Sequence, residues 1–309
     1  MGRPLRYVRP GKLVEITCRT MQSRLLLRPS PELEKRVLGV LGRAQRQTGI
    51  EIHAFVFASN HYHLLVSPQT PVQLVRFMNR IQSNLAREAG DLHGWPERFW
   101  SRRYRDIPVS DEPAAQVARL RYCLAHGVKE GLVSRCRDWP GASCVRALAD
   151  GEPLEGVWYD RTAYYEARRS DPRARLQDFA SKETVTLSPL PCWRHLEPDE
   201  IRRRIRELIE QIEQDAHHHR LATGAGVAGV RAVRKRHPHD RPKKTRRSPA
   251  PRFHTATKEA WCALREAVQT FAEDFRHAAD LLRQGHPTPE FPPGAFPPNP
   301  PPVPALAPG

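Results

Sequence analysis

Long apolar runs are missing from this chain, paired cysteines are missing too, and acidic residues fall well short of basic ones. No stretch approaches the roughly 20 apolar residues that a bilayer-spanning helix needs. The start, MGRPLRYVRPGKLVEI, is basic but lacks the apolar core of a secretion signal. The expectation is a soluble, cytoplasmic protein with no membrane partner. Six cysteines (Cys18, Cys123, Cys136, Cys144, Cys192 and Cys262) lie scattered with no CxxC pair and no short regular spacing, which fits reduced thiols better than a zinc ribbon or a disulfide framework. Hydrophobic residues make up only 39% of the 309, while proline reaches 30 residues, so a folded part and an extended part are expected. The acid deficit, 34 Asp+Glu against 50 Lys+Arg, leaves a formal charge of +16 and favours a polyanionic partner. Each phosphate neutralised by such a chain releases a condensed counterion, so nucleic acid is the first class to consider.

What is present is an ordered series of elements. Residues 12–18, LVEITCR, read as a β-branched strand. A helix follows from about Pro31 to Gln47, with Ser30 as its N-cap and Leu33, Val37, Leu38 and Leu41 on one face. Two apolar runs, 50–57 and 63–67, joined by Ala58-Ser59-Asn60, read as a β-hairpin. A second helix spans about 71–89 and turns Arg76, Asn79, Arg80 and Arg87 away from its apolar row. An arginine-rich strand, 101–109, leads to a third helix, about 112–126, stopped by Gly127. This order gives an α+β fold of the ferredoxin-like, split βαβ type: an antiparallel sheet with helices on one face and the other face free for a flat ligand.

Beyond residue 150 the character changes. The expected division is a domain at 1–150, a helical extension at 151–222, a basic linker or arm at 223–256, an amphipathic helix at 257–286 and a proline-rich disordered tail at 287–309. The arm carries ten Lys+Arg between Arg231 and Arg252 against one acid, Asp240. The tail lacks apolar periodicity.

Two constellations carry chemistry. His61 and His63 alternate along one strand, so they point to one face and are spaced to bind a single metal ion. Tyr122 and His126 stand four residues apart on the third helix and share a face of it, away from the row of Leu120 and Leu124. Arg102, Arg103 and Arg105 flank the last strand, and Asn79, Arg80 and Asn84 line the second helix, all as candidates for phosphate contacts. His217, His218 and His219 close a helix, where imidazole favours the dipole and solvates freely. Tyr164 and Tyr165 are further hydroxyls outside the core, and Trp100 is read as packing.

Together the segments VEITCRTMQSRLLLRPS, HAFVFASNHYHLLVSP, RFWSRRYRDIPV and YCLAHGVKEGLVSRCRDWPGAS resemble the HUH endonuclease superfamily, specifically the REP-associated tyrosine transposases and their single-tyrosine insertion-sequence relatives. The resemblance covers about residues 8–148, and the part beyond 150 looks like an extension found in one lineage. It implies an enzyme that cleaves and rejoins single-stranded DNA or hairpin ends through a 5′-phosphotyrosine. Tyr122 would be the nucleophile, and His61, His63 and His126 would bind a divalent ion, magnesium or manganese. Relatives place a glutamine or asparagine where His126 stands, and Asn-Pro where this chain has His126-Gly127. The resemblance leaves room for a homodimer. Two other readings stay open: a domesticated DNA-binding regulator without cleavage activity, and a metal-dependent nuclease that uses water.

Overall fold

The computed structural model describes residues 5–242, 251–286, 288–296 and 298. Four strands, β1 (Val14–Arg19), β2 (Glu51–Phe57), β3 (His61–Ser67) and β4 (Arg105–Pro108), form one sheet in the order β2-β3-β1-β4. Every pairing in it is antiparallel. Helices α1 (Pro31–Thr48) and α2 (Pro71–His93) follow β1 and β3, which completes the split βαβ order expected from the sequence. Both helices start alike. Ser30 Oγ accepts from Leu33 N–H at 3.2 Å and Thr70 Oγ1 from Gln73 N–H at 3.1 Å, with Pro31 and Pro71 directly behind the caps. Gly49 ends α1 at φ 65°, a left-handed conformation that side chains with a Cβ resist.

Alternation along the strands divides the core. Tyr62, Leu64 and Val66 are fully buried on one face, where α2 lies: Gln82 Nε2 donates to Tyr62 Oη at 3.3 Å. Trp100 packs edge-on against Tyr62 and donates from Nε1 to the Gln82 carbonyl at 2.9 Å, so this tryptophan is structural. His61 and His63 point to the other face. That face does not stay free, contrary to the expectation from the sequence. Helix α3 (Pro113–Lys129) crosses it, and the long α6 (Pro198–Thr223) packs on α3 and buries Ile205, Ile209 and Ile212.

Gly127 does not stop α3 but sits inside it. A Cβ there would meet the Trp139 ring at 2.9 Å and Val133 at 3.0 Å, so glycine lets Trp139 close over the helix end. Trp139 Nε1 in turn donates to the Phe57 carbonyl at 3.1 Å, tying that turn to β2.

Three expectations for the C-terminal half need correction. The extension at 151–222 is not only helical: β5 (Leu154–Tyr159) and β6 (Ala180–Val185) form an antiparallel hairpin, with the short helices α4 (Val145–Asp150) before it and α5 (Arg161–Ser170) between its strands. The hairpin lies on α1, and Arg43 and Arg46 of α1 pair with the buried Glu183 of β6. Its strands escape a periodicity search because β6, ASKETV, is mostly polar and exposed. The arm at 223–256 is, in its described part, docked. Helix α7 (Val230–Lys235) buries Val233, and Asp240 accepts from Leu25 N–H through its carbonyl at 3.0 Å. Lys243, Lys244, Arg246 and Arg247 lie outside the described residues. Helix α8 (Lys258–Arg283) follows, and the tail after it packs where it is described: Phe291 stacks near Phe275, and the Gly294 carbonyl accepts from Val8 N–H at 3.5 Å. Among the described residues no helix is long and apolar enough to cross a membrane.

Candidate active site

β3 and α3 together build a cluster of four rings. His61 and His63, two apart on β3, have ring centroids 5.1 Å apart. Across the gap α3 presents His126, 4.8 Å from the His61 ring and 5.3 Å from the His63 ring. Tyr122, one turn earlier, lies 5.0 Å from the His63 ring and 5.8 Å from that of His126. The pattern HxH on a strand and Tyr-x-x-x-His on a helix thus converge in one place, because strand alternation and helical repeat aim each pair at the same gap.

The three imidazoles suit a metal ion. One ring nitrogen from each of His61, His63 and His126 falls within 4.8 Å of the others. Two of these rings hold a buried nitrogen without a hydrogen-bond partner, Nε2 of His63 and Nδ1 of His126. A buried polar atom left unpaired is costly, and a cation would satisfy it. Two further nitrogens are held from outside: Asn60 Oδ1 sits 2.6 Å from His61 Nδ1, and Glu15 Oε1 lies 2.6 Å from His63 Nδ1. A carboxylate beyond the imidazole fixes which nitrogen carries the proton and leaves the other free to bind. Burial, followed by the neighbouring His63 and His126, keeps His61 well below the ordinary imidazole range. Burial with His63 and Lys129 lowers His126 to about 3. Both are therefore neutral near pH 7, the form that ligates.

Glu15 does not stand out in the sequence, although a signal is there. In VEITCR the polar Glu15, Thr17 and Arg19 alternate with Val14, Ile16 and Cys18, and register sets Thr17 against His63 and Arg19 against His61. The polar side of β1 thus faces the histidine side of β3. Burial alone would raise the Glu15 carboxyl, but hydrogen bonds from His254 and His63, with the charges of His63 and Arg119, hold it far below the usual carboxylate range. Arg119, one turn before Tyr122, escapes a sequence search for a plainer reason: its partner Glu15 is far away in the chain.

Tyr122 lies in a cationic setting. The Arg119 guanidinium carbon stands 4.2 Å, and Lys129 Nζ 4.6 Å, from the ring centroid. Burial and the Glu15 charge raise the Tyr122 hydroxyl above its ordinary value, while Arg119 pulls the other way. At rest the hydroxyl is protonated, with positive charge beside it to favour the phenolate.

The other candidates separate. Arg105 pairs in register with Thr17, so it shares the sheet face of His63 two strands away, and it is exposed. Arg102 and Arg103 are exposed just before β4. Asn79 and Arg80 are exposed on α2, on the opposite side of the sheet from the rings, and Asn84 donates to the Arg80 carbonyl at 2.7 Å. His217, His218 and His219 are exposed on α6, and Tyr164 and Tyr165 stack on each other in α5, all outside the ring cluster.

Residues 16–120 match the family model of the IS200-like transposases. A solved REP-associated tyrosine transposase bound to a REP hairpin is similar over 50% of this chain and 90% of its own, at 20% identity and a TM-score of 0.41. A candidate transposase from Deinococcus radiodurans is similar over 39% of this chain and 95% of its own, at 20% identity and a TM-score of 0.28. No curated protein matches the chain.

Proposed function

We propose, from the match of residues 16–120 to the family model of the IS200-like transposases, that this chain is a transposase that cuts and rejoins single-stranded DNA with Tyr122 as nucleophile. The observation that carries the reading is the meeting of Tyr122 with His61, His63 and His126 in one ring cluster. The Tyr122 oxygen attacks a backbone phosphorus, the bond from phosphorus to the 3′-oxygen breaks, and that oxygen leaves as a free 3′-hydroxyl after taking a proton. The 5′-phosphate stays on the tyrosine. A phenol is a good leaving group, so the ester keeps the bond energy needed to join a second 3′-hydroxyl.

The residues of the chain have separable tasks. Arg119 and Lys129 flank the Tyr122 ring and lower the cost of its phenolate. Glu15 orients His63, and Asn60 orients His61. His61, His63 and His126 would hold a divalent ion, magnesium or manganese, which when bound neutralises charge on the non-bridging phosphate oxygens. The formal charge of +16 supplies a sequence-independent attraction to the DNA backbone.

The test is a labelled single-stranded oligonucleotide with a hairpin end, incubated with the full chain and manganese and resolved on a denaturing gel. A protein-linked band that is absent with Tyr122→Phe, at unchanged DNA affinity, supports the reading. Cleavage without a linked band in the unmodified chain points to water as nucleophile. Binding without cleavage points to a regulator.

A further inference from the structure

Glu15 has two carboxylate oxygens, and the ring cluster uses one. Oε1 meets His63 Nδ1 at 2.6 Å. Oε2 lies 2.6 Å from Nε2 of His254 and 3.1 Å from Nε of Arg119. Glu15 is 2% exposed, so none of these contacts is diluted by water. His254 belongs to the C-terminal half, far outside residues 16–120. It reaches the site because its segment adds a parallel bridge to the end of β4: His254 N–H donates to the Pro108 carbonyl, and Ser110 N–H donates to the His254 carbonyl, both at 2.9 Å. Phe253 is buried beside it, and Ala256 N–H donates to Glu112 Oε2 at 2.9 Å. The ring's other nitrogen, Nδ1, faces Arg119 Nη1 at 3.4 Å. Arginine can only donate, so Nδ1 accepts and Nε2 carries the proton toward Glu15.

We infer that His254 is a positioning residue for His63, delivered by the C-terminal half, and that the site is incomplete without it. The inference rests on the metal-binding reading above. Its chain runs His254 to Glu15 to His63. With Oε2 drawn to His254 and Arg119 by close polar contacts, rotation of the carboxylate about its last bond is restrained, so Oε1 stays on Nδ1 and Nε2 of His63 keeps its aim into the cluster. Groups beyond a metal's direct ligands commonly set its affinity by about 10–100-fold. Arg119 stays on Oε2 when His254 is lost, so the expected effect is at the low end.

The experiment is a cobalt(II) titration of the full chain, followed by calorimetry and by the visible absorption of the bound ion. It compares unmodified protein with His254→Leu, which keeps volume but loses the donor, and His254→Gln, which keeps a donor at similar reach. Both leave intact the backbone hydrogen bonds that dock the segment. His254→Asn, whose amide ends where Nδ1 stands and falls short of Nε2, is a second variant free of a donor at Glu15 should leucine prevent folding. Expected is an affinity loss of about tenfold with an altered cobalt spectrum in His254→Leu or His254→Asn, and recovery of both in His254→Gln. Equal affinity and spectrum in the unmodified chain and the donor-free variants would overturn the inference alone. Failure of the unmodified chain to bind cobalt would overturn the metal reading itself, and the inference with it.

Discussion

Gly39 of α1 and Gly156 of β5 lie so close that neither has room for a methyl group. A Cβ on Gly39 would fall 2.0 Å from the Val157 carbonyl oxygen, and one on Gly156 would fall 2.1 Å from the Gly39 nitrogen. The obstruction is backbone in both cases, which cannot swing aside as a side chain can. The hairpin therefore seats this closely on α1 because these positions are glycine, and Gly42 does the same at β6, where a Cβ would fall 2.9 Å from the Thr184 carbonyl oxygen. Gly39→Ala is expected to destabilise by about 1–3 kcal/mol or more, as overpacking does, despite the better helix propensity of alanine. Thermal melts of the two proteins check this, and an unchanged or raised Tm would show that the hairpin does not press on α1 in solution.

Glu88 on α2 and Arg161 at the start of α5 form a second link between the N-terminal domain and the C-terminal half. Both are buried, Arg161 Nη2 lies 2.9 Å from Glu88 Oε2, and Arg36 of α1 reaches the same oxygen at 3.0 Å. Glu88→Ala would leave the buried Arg161 with Asp91, whose side chain is half-exposed, as its remaining carboxylate, so the loss falls toward the lower end of what breaking a buried pair costs. The expected loss is about 3 kcal/mol, read by chemical denaturation. A loss below about 1 kcal/mol, the range of exposed pairs, would mean that water reaches the pair.

The metal preference should follow His126. Imidazole suits later transition metals better than an amide oxygen does, so manganese and cobalt should support or occupy the site better than magnesium. His126→Asn is expected to retain cleavage and to shift the preference back toward magnesium, while His61→Ala and His63→Ala should cost more metal affinity than His126→Ala. Nicking rates across magnesium, manganese and cobalt decide the point. Identical profiles for the unmodified chain and His126→Asn would show that this imidazole never touches the ion.

Acid should weaken the fold through buried neutral histidines. Burial, then Arg28 and His239, lowers His93 to about 4, and burial with His63 and Lys129 lowers His126 to about 3. The unfolded chain takes up these protons near pH 6.5, before the folded chain does. Stability is thus fully present above that value and falls as pH drops from about 6.5 toward 4 and below. Melts of the metal-free chain across this window should show Tm declining, and His93→Leu should flatten part of the decline. A Tm that holds steady down to pH 4 would contradict it.

The two faces of the sheet should differ toward DNA. Arg105 shares the face of the rings, whereas Asn79 and Arg80 lie on α2 behind the sheet. Arg105→Ala should lower the salt dependence of single-strand binding by about 0.7 for each phosphate it no longer neutralises, and Arg80→Ala should leave it unchanged. The reverse result would move the DNA path to α2.

Much of this is legible without coordinates. Ser30 and Thr70 cap helices where hydroxyl, proline and apolar rows stand in order, and β1 to α3 follow from local periodicity, because capping and amphipathicity are properties of neighbouring residues. The pairing of His61 with His63, and of Tyr122 with His126, is equally local: the repeat of a strand or a helix alone puts each pair on one face. What the sequence could not decide is where those faces meet. Tertiary packing laid α3 across the sheet face that local patterning leaves open, and brought the two pairs into one cluster. It also set the hairpin on α1 through Gly39 and Gly156, and carried His254 to Glu15 across more than two hundred residues of chain. Such contacts leave no period in the sequence, because they depend on the three-dimensional path of the backbone between the partners and not on the residues beside either one.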